Sequence, residues 1–165
     1  MLVFAELGRR LVAGPLVWTH LLADRIDGAD AGETVVGGVD LHGADPDPFV
    51  IEHLAALDVL VALRPEGVFR IDPRSVDARE IGIPLDPHTP VHEVRSLPDG
   101  ERIGDGETSL ALCTQGAALV SALLLGIAEM TQELATEYAK GREQFGRPIG
   151  SFQAMKHMLA DMFVR

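Results

Sequence analysis

A single cysteine, Cys113, stands in a chain of 165 residues. A disulfide framework and a cysteine-based zinc cluster are therefore excluded within one chain. Cys113 lies in the apolar run LALCTQG, where a small buried hydrophobe is its expected role. Positive charge is scarce as well: 14 Lys and Arg face 25 Asp and Glu, for a net charge of -11. Such a surface repels phosphate backbones, so nucleic acid is not an expected partner, although one local arginine can still hold one phosphate. No basic segment precedes an apolar stretch at the start, so no secretory leader is expected, and the cytoplasm is the expected compartment. Internal repeats, low-complexity tracts and a Gly-x-Gly-x-x-Gly turn are all missing.

What is present begins with a long uncharged stretch, residues 110–128. It has the length of a membrane span. Thr114, Gln115 and Ser121 interrupt it, its flanks are acidic, and neither Trp or Tyr anchors nor a Lys/Arg bias adjoin it. A buried helix is expected instead, with no membrane span. Helical periodicity runs from about Asp105 through Ala139, and Leu119, Leu123, Ile127, Met130 and Leu134 make one stripe. The glycines and proline of GREQFGRPIGS break that helix. Phe152, Met155, Leu159, Met162 and Phe163 then mark a second one, with Ser151 as its expected cap.

Residues 2–24 read as two helices separated at Gly14-Pro15, the second starting at the proline. Between the helical ends, ETVVGGVDL, LDVLVAL, GVFRID, VDAREI and VHEVRSL are short, rich in β-formers and bounded by turn residues. They predict a small antiparallel sheet or barrel, with a bulge or bend at Gly37-Gly38. FVIEHLAAL fits a helical insert or a loop equally well. The fold class is thus α+β. The expected divisions are residues 1–28 as helices, 29–104 as a β-domain, and 105–165 as the start of a helical bundle.

Asp40, His42, Asp45 and Asp47 share one turn-rich loop, and His88 and His92 have a zinc-like spacing. Neither group builds a closed ligand shell, so a solvated loop and histidines without a ligand role are expected, and no metal site. The closing stretch, YAKGREQFGRPIGSFQAMKHMLADM, is more specific. Arg142 offers a planar, permanently charged fork beside a glycine-rich turn, a group suited to a pyrophosphate. Gln144 lies two residues on, Phe145 offers an apolar wall for a planar ring, and Gln153 offers both a donor and an acceptor. The same residues also fit a plain helix hairpin with a surface Arg and a core Phe.

That stretch resembles the opening of the C-terminal helical bundle of acyl-CoA dehydrogenases, Y-A-x-x-R-x-Q-F-G-x-P-I-x-x-F-Q-x-x-x-H-x-L-A-D-M, over about 25 contiguous residues. ELGRRLVAGPL resembles a turn late in that family's N-terminal helical domain, and PLDPHTPVHEV a strand late in its middle β-domain, in the right order. The resemblance implies remnant N-terminal helices, a reduced middle β-domain and the first bundle helices. It implies FAD bound at a subunit interface, with Arg142, Gln144, Phe145 and Gln153 contacting its ADP part. It further implies α,β-dehydrogenation of an acyl-CoA substrate, in fatty-acid or sterol breakdown, by a homo- or hetero-oligomer with a related subunit.

Two family features are missing. No Thr-Glu-Pro...Gly-Ser-Asp segment, which lines the isoalloxazine, occurs between Asp24 and Leu110. The catalytic carboxylate, which a minority of members carry in the long helix, corresponds here to Gly116, and neither Glu107 nor Glu129 replaces it, so no catalytic base can be named. Family subunits are more than twice as long, so a truncated or reduced member is expected. The alternative is a non-catalytic partner subunit or gene fragment that lends FAD contacts to a neighbour.

Overall fold

The computed structural model describes residues 1–43 and 48–164. Helices α1 (Leu2–Arg9) and α2 (Leu16–Leu21) open the chain. Seven strands follow: β1 (Val36–Asp40), β2 (Phe49–Glu52), β3 (Val59–Arg64), β4 (Gly67–Ile71), β5 (Ala78–Glu80), β6 (Val91–Val94) and β7 (Glu101–Asp105). Helix α3 (Gly106–Gly141), the short pair β8 (Glu143–Gln144) and β9 (Arg147–Pro148), and α4 (Gln153–Val164) complete it. The chain divides into two compact units, residues 13–119 and residues 1–12 with 120–165.

The first unit is built on β3. Its run VLVALR is buried along five of six residues, as a strand covered on both faces must be. Val59, Val61 and Leu63 face a core shared with Leu21, Leu22, Ile26 and Leu112. Leu60 and Ala62 face the opposite core, with Phe49, Ile51, Leu54, Leu57 and Val94. The layers are therefore helices, a four-stranded sheet in the order β1-β3-β4-β7, and a three-stranded sheet in the order β2-β6-β5. Burying each of these aliphatic side chains stabilises the unit by roughly 1.5–3 kcal/mol before entropy is subtracted.

Pairing is antiparallel as the turn spacing implied, except that β1 runs parallel to β3 with Val36 opposite Val59. Parallel neighbours require a crossover, and the segment containing β2 supplies it. FVIEHLAAL resolves into β2 and a single 3-10 turn, Leu54–Ala56. Gly37 and Gly38 do not bend the strand, whose register with β3 is unbroken. They are instead sites of close approach, since a Cβ would collide with Leu57 at Gly37 and with the Trp18 ring at Gly38. The bulge of this sheet lies between Val68 and Phe69.

In the second unit, α1 lies against the later half of α3 at a pair of glycines. A Cβ on Gly8 would collide with the Leu123 carbonyl, and one on Gly126 with that of Ala5. Arg9 fastens the crossing through Glu133 at 2.7 Å and Glu129 at 3.4 Å. Helix α3 begins on Asp105, whose carboxylate accepts the Thr108 amide at 2.8 Å as an N-terminal cap. At about 54 Å it is longer than its apolar stripe required.

The expectation of a buried helix holds on one side of α3 only, along Ser109, Leu112, Ala122 and Ala139. Leu124, Leu125, Leu134 and Tyr138 are exposed, because the described residues supply it with few neighbours. Among the described residues α3 is the one helix long and apolar enough to cross a membrane, by length and composition alone. Ser151 does not cap α4. Its hydroxyl donates to the Pro148 carbonyl at 2.7 Å, and the helix starts two residues later.

Candidate functional site

The four residues singled out near the end of the chain are held by one tight hairpin between α3 and α4. Arg142 still donates its amide to Tyr138, while its carbonyl accepts the Ile149 amide, both at 2.8 Å. Glu143 pairs with Pro148 and Gln144 with Arg147, leaving Phe145 and Gly146 as a two-residue loop. Both loop residues have positive φ, +55° and +73°. Such a loop matches the strand twist, but Asn-Gly is the sequence that adopts it without strain. A phenylalanine there costs about 1–2 kcal/mol.

That strain is not repaid by burial. Phe145 is 92% exposed, so the reading of a core phenylalanine is wrong for this position. Its ring meets that of Phe152 edge-on, at 6.2 Å between centroids. A bulky apolar side chain held in a strained conformation and left in solvent is a feature of functional surfaces.

Arg142 and Gln144 are exposed, and the Arg142 guanidinium has no ion pair or hydrogen bond among the described residues. Gln153 follows Phe152 directly and shares a 3.2 Å hydrogen bond with His157 one turn on. The Arg147 guanidinium stacks 4.2 Å above the Phe152 ring. Gly150 brings the returning chain so near the end of α3 that a Cβ would stand 2.9 Å from the Ala139 carbonyl. The hairpin thus fixes a free guanidinium, an exposed aromatic ring and an amide within twelve residues of chain. The set fits a pyrophosphate joined to a planar ring.

No carboxylate occupies the position from which a base would act in the long helix. A Cβ on Gly116 would stand 3.2 Å from Leu21 Cδ1, so that position points into packing. Glu129 is paired with Arg9, and Glu107 is exposed in the first turn of α3.

A second polar group, within residues 13–119, joins Asp40 and His42 of the turn-rich loop to Cys113 and Ser109, which the sequence had not linked to them. Asp40 at the end of β1 receives the Cys113 thiol on Oδ2 at 3.0 Å and faces His42 Nδ1 across 2.6 Å on Oδ1. His42 Nε2 lies 3.3 Å from the hydroxyl of fully buried Ser109. Burial pushes the Asp40 carboxyl up, but the hydrogen bonds from Cys113 and His42 outweigh it and hold the group below its ordinary value. The bond to Asp40, with burial, raises the Cys113 thiol. Cys113 is therefore a protonated polar partner and not the simple buried hydrophobe expected. Asp45 and Asp47, the other members of that loop in the sequence reading, lie outside the described residues. His88 and His92 do not converge on a common partner. His92 is buried in β6 with Nδ1 unsatisfied, and the amide of His88 donates to Asp86.

Comparison with known proteins gives these elements a context. Residues 107–165 match the family described as acyl-CoA dehydrogenase, C-terminal domain. Across 99% of its length the chain is 34% identical to the acyl-CoA dehydrogenase IpdE2 of Mycobacterium tuberculosis, of which it covers 51%. The fold is similar to that in the ChsE4-ChsE5 complex of Mycobacterium tuberculosis, with a TM-score of 0.76, 20% identity, and coverage of 98% of this chain and 55% of that one. It is also similar to a glutaryl-CoA dehydrogenase of Mycobacterium smegmatis in complex with FADH2, with a TM-score of 0.64, 16% identity, and coverage of 88% and 49%. The chain spans about half the length of the curated relatives it matches.

Proposed function

This chain belongs to the acyl-CoA dehydrogenase family, and on that premise we propose that its hairpin between α3 and α4 contributes the ADP side of an FAD site in an assembly with a related subunit. The observation that carries this reading is the exposed tip: Phe145 strained and in solvent, beside an Arg142 guanidinium without a partner. In this reading Arg142 pairs with the pyrophosphate, Phe145 and Gln144 border the adenosine, and Gln153 adds a hydrogen bond from the start of α4. FAD, when bound, supplies the hydride acceptor for α,β-dehydrogenation of an acyl-CoA thioester.

The chain's own residues bind and orient. No base for the substrate's α-proton is assigned among the described residues, since Gly116 has no side chain and Glu129 is held by Arg9. The base and the donors that line the isoalloxazine come from other residues of the assembly. The relative observed as a ChsE4-ChsE5 complex favours a second, different subunit as the source. A cytoplasmic oligomer acting on fatty acyl or sterol side-chain thioesters is the setting this reading assigns.

The test is FAD titration of the assembled complex. Arg142→Ala removes one charge-assisted contact, about 1.5–3 kcal/mol, and lowers flavin affinity roughly ten- to a hundred-fold. Arg142→Lys recovers part of that, since an ammonium cannot make the planar two-point contact. The isolated chain is expected to be colourless and inactive. Unchanged affinity in an intact Arg142→Ala complex would reduce the hairpin to a packing element.

A further inference from the structure

We propose that Asp40, His42 and Cys113 form a binding site for a divalent cation of the zinc class. Three chemically different donors converge there: a carboxylate oxygen, an imidazole nitrogen and a sulfur, all within 4.8 Å of one another. Tetrahedral zinc, with bonds of about 2.0–2.3 Å, sets its ligand atoms roughly 3.3–3.7 Å apart, close to the spacing already present. A mixed sulfur, nitrogen and oxygen set suits zinc or cobalt and suits magnesium or calcium poorly.

The donors stand on elements that the fold fixes independently. Asp40 ends β1, in register with Leu63 of the buried strand β3. Cys113 lies two turns into α3, and Ser109, one turn earlier on the same face, is fully buried. Ser109 meets the ring nitrogen of His42 that does not face Asp40, at 3.3 Å. A partner on the second nitrogen is the usual means of aiming a ligating imidazole. With three protein ligands one coordination position stays open, and the Asp40 side chain, 44% exposed, gives solvent access to it. Binding forms bonds from the cation to Asp40 Oδ, His42 Nδ1 and Cys113 Sγ. The thiol proton is released to solvent, and the ring proton that Nδ1 shares with Asp40 in the metal-free chain is exchanged through solvent to Nε2, from which the neutral ring donates it to the Ser109 hydroxyl. No electron transfer is involved.

The two sequence observations could not reach this conclusion separately. Asp40 and His42 looked like part of an acidic loop, and Cys113 like a small core residue 73 positions from Asp40. Only the fold places the thiol on the carboxylate.

Cobalt(II) titration of the purified, reduced, metal-free chain tests the site. A thiolate-to-cobalt charge-transfer band in the near ultraviolet can come only from Cys113, because the chain has one cysteine. The expected result is a band that saturates at one equivalent and is bleached by zinc(II). It is expected to vanish in Cys113→Ser, and affinity to fall at least about tenfold in His42→Ala and in Asp40→Asn, with Ser109→Ala losing about tenfold. Visible cobalt bands without the near-ultraviolet band would overturn the site, as would a charge-transfer band indifferent to both His42→Ala and Asp40→Asn. If circular dichroism shows a variant unfolded, alkylation of Cys113 in the unaltered chain decides. Zinc(II) is expected to slow it at least about tenfold, and an unchanged rate would contradict the proposal.

Discussion

The unit of residues 13–119 spends its apolar residues inward, whereas the unit of residues 1–12 and 120–165 leaves most of its own outward. In the first, β3 is covered on both faces, and two cores converge on it. In the second, Leu124, Leu125, Leu134, Phe145 and Phe163 are all more than half exposed, and α4 has no buried residue. The same chain thus contains a domain that satisfies itself and a helical surface whose apolar area invites partners. The difference teaches where to look for function: the residues with unspent chemistry, Arg142 and Phe145, belong to the unit that is unfinished by itself.

The largest expected effect probes the self-sufficient unit. Leu60→Ala empties a fully buried position between the two sheets and is expected to cost about 2–5 kcal/mol in urea unfolding. Leu124→Ala, at a position 59% exposed, is expected to stay within about 0.5 kcal/mol. Equal losses at both sites would erase the contrast.

Next in size is the crossing of α1 with α3. Gly126→Val drives a side chain into the Ala5 carbonyl and the Arg9 amide, and overpacking against backbone costs about 1–3 kcal/mol. Hydrogen exchange should accelerate in residues 2–9 while residues 59–71 keep their protection. Loss of protection in both would mean that the units do not unfold separately.

The third effect has the opposite sign. Phe145→Asn gives the loop the sequence its geometry favours and is expected to raise stability by about 1 kcal/mol, read as a higher Tm.

The smallest effect is an acid limb shared by both units. The side chain and amide of Thr108 hold Asp105 below the ordinary carboxylate value, and Arg9 does the same for Glu133. A depressed folded-state pKa contributes stability that is complete above the unfolded value, about 4, and is lost as pH falls through the folded one. Asp105→Asn should flatten that loss at pH values below the ordinary carboxylate range, where the depressed group titrates. An unaltered acid limb would remove Asp105 from it.

Much of this was legible in the residues. The run LDVLVAL was legible as a strand because Val59 to Leu63 are uninterruptedly apolar, although its cover on both faces was not, and the breakers at Pro15 and in GREQFGRPIGS locate helix ends. Strand β7 was missed because ERIGD carries three charges and a glycine, and it forms only because β4 supplies a partner edge. The parallel pairing of β1 with β3, like the meeting of Cys113 with Asp40, is a long-range fact that no local pattern encodes. Arg142, Gln144, Phe145 and Gln153 could be singled out as candidates because they fall within one short stretch of chain. Their exposure was not, since a phenylalanine in a tight turn reads as core until its φ is known.

The most direct measurement of the central claim is FAD affinity of the assembled complex carrying Phe145→Asn, taken beside its Tm. The hairpin account predicts a more stable chain that binds flavin roughly tenfold more weakly, because the strained ring serves the ligand and not the fold. A complex that is more stable and binds FAD as tightly as before would contradict it.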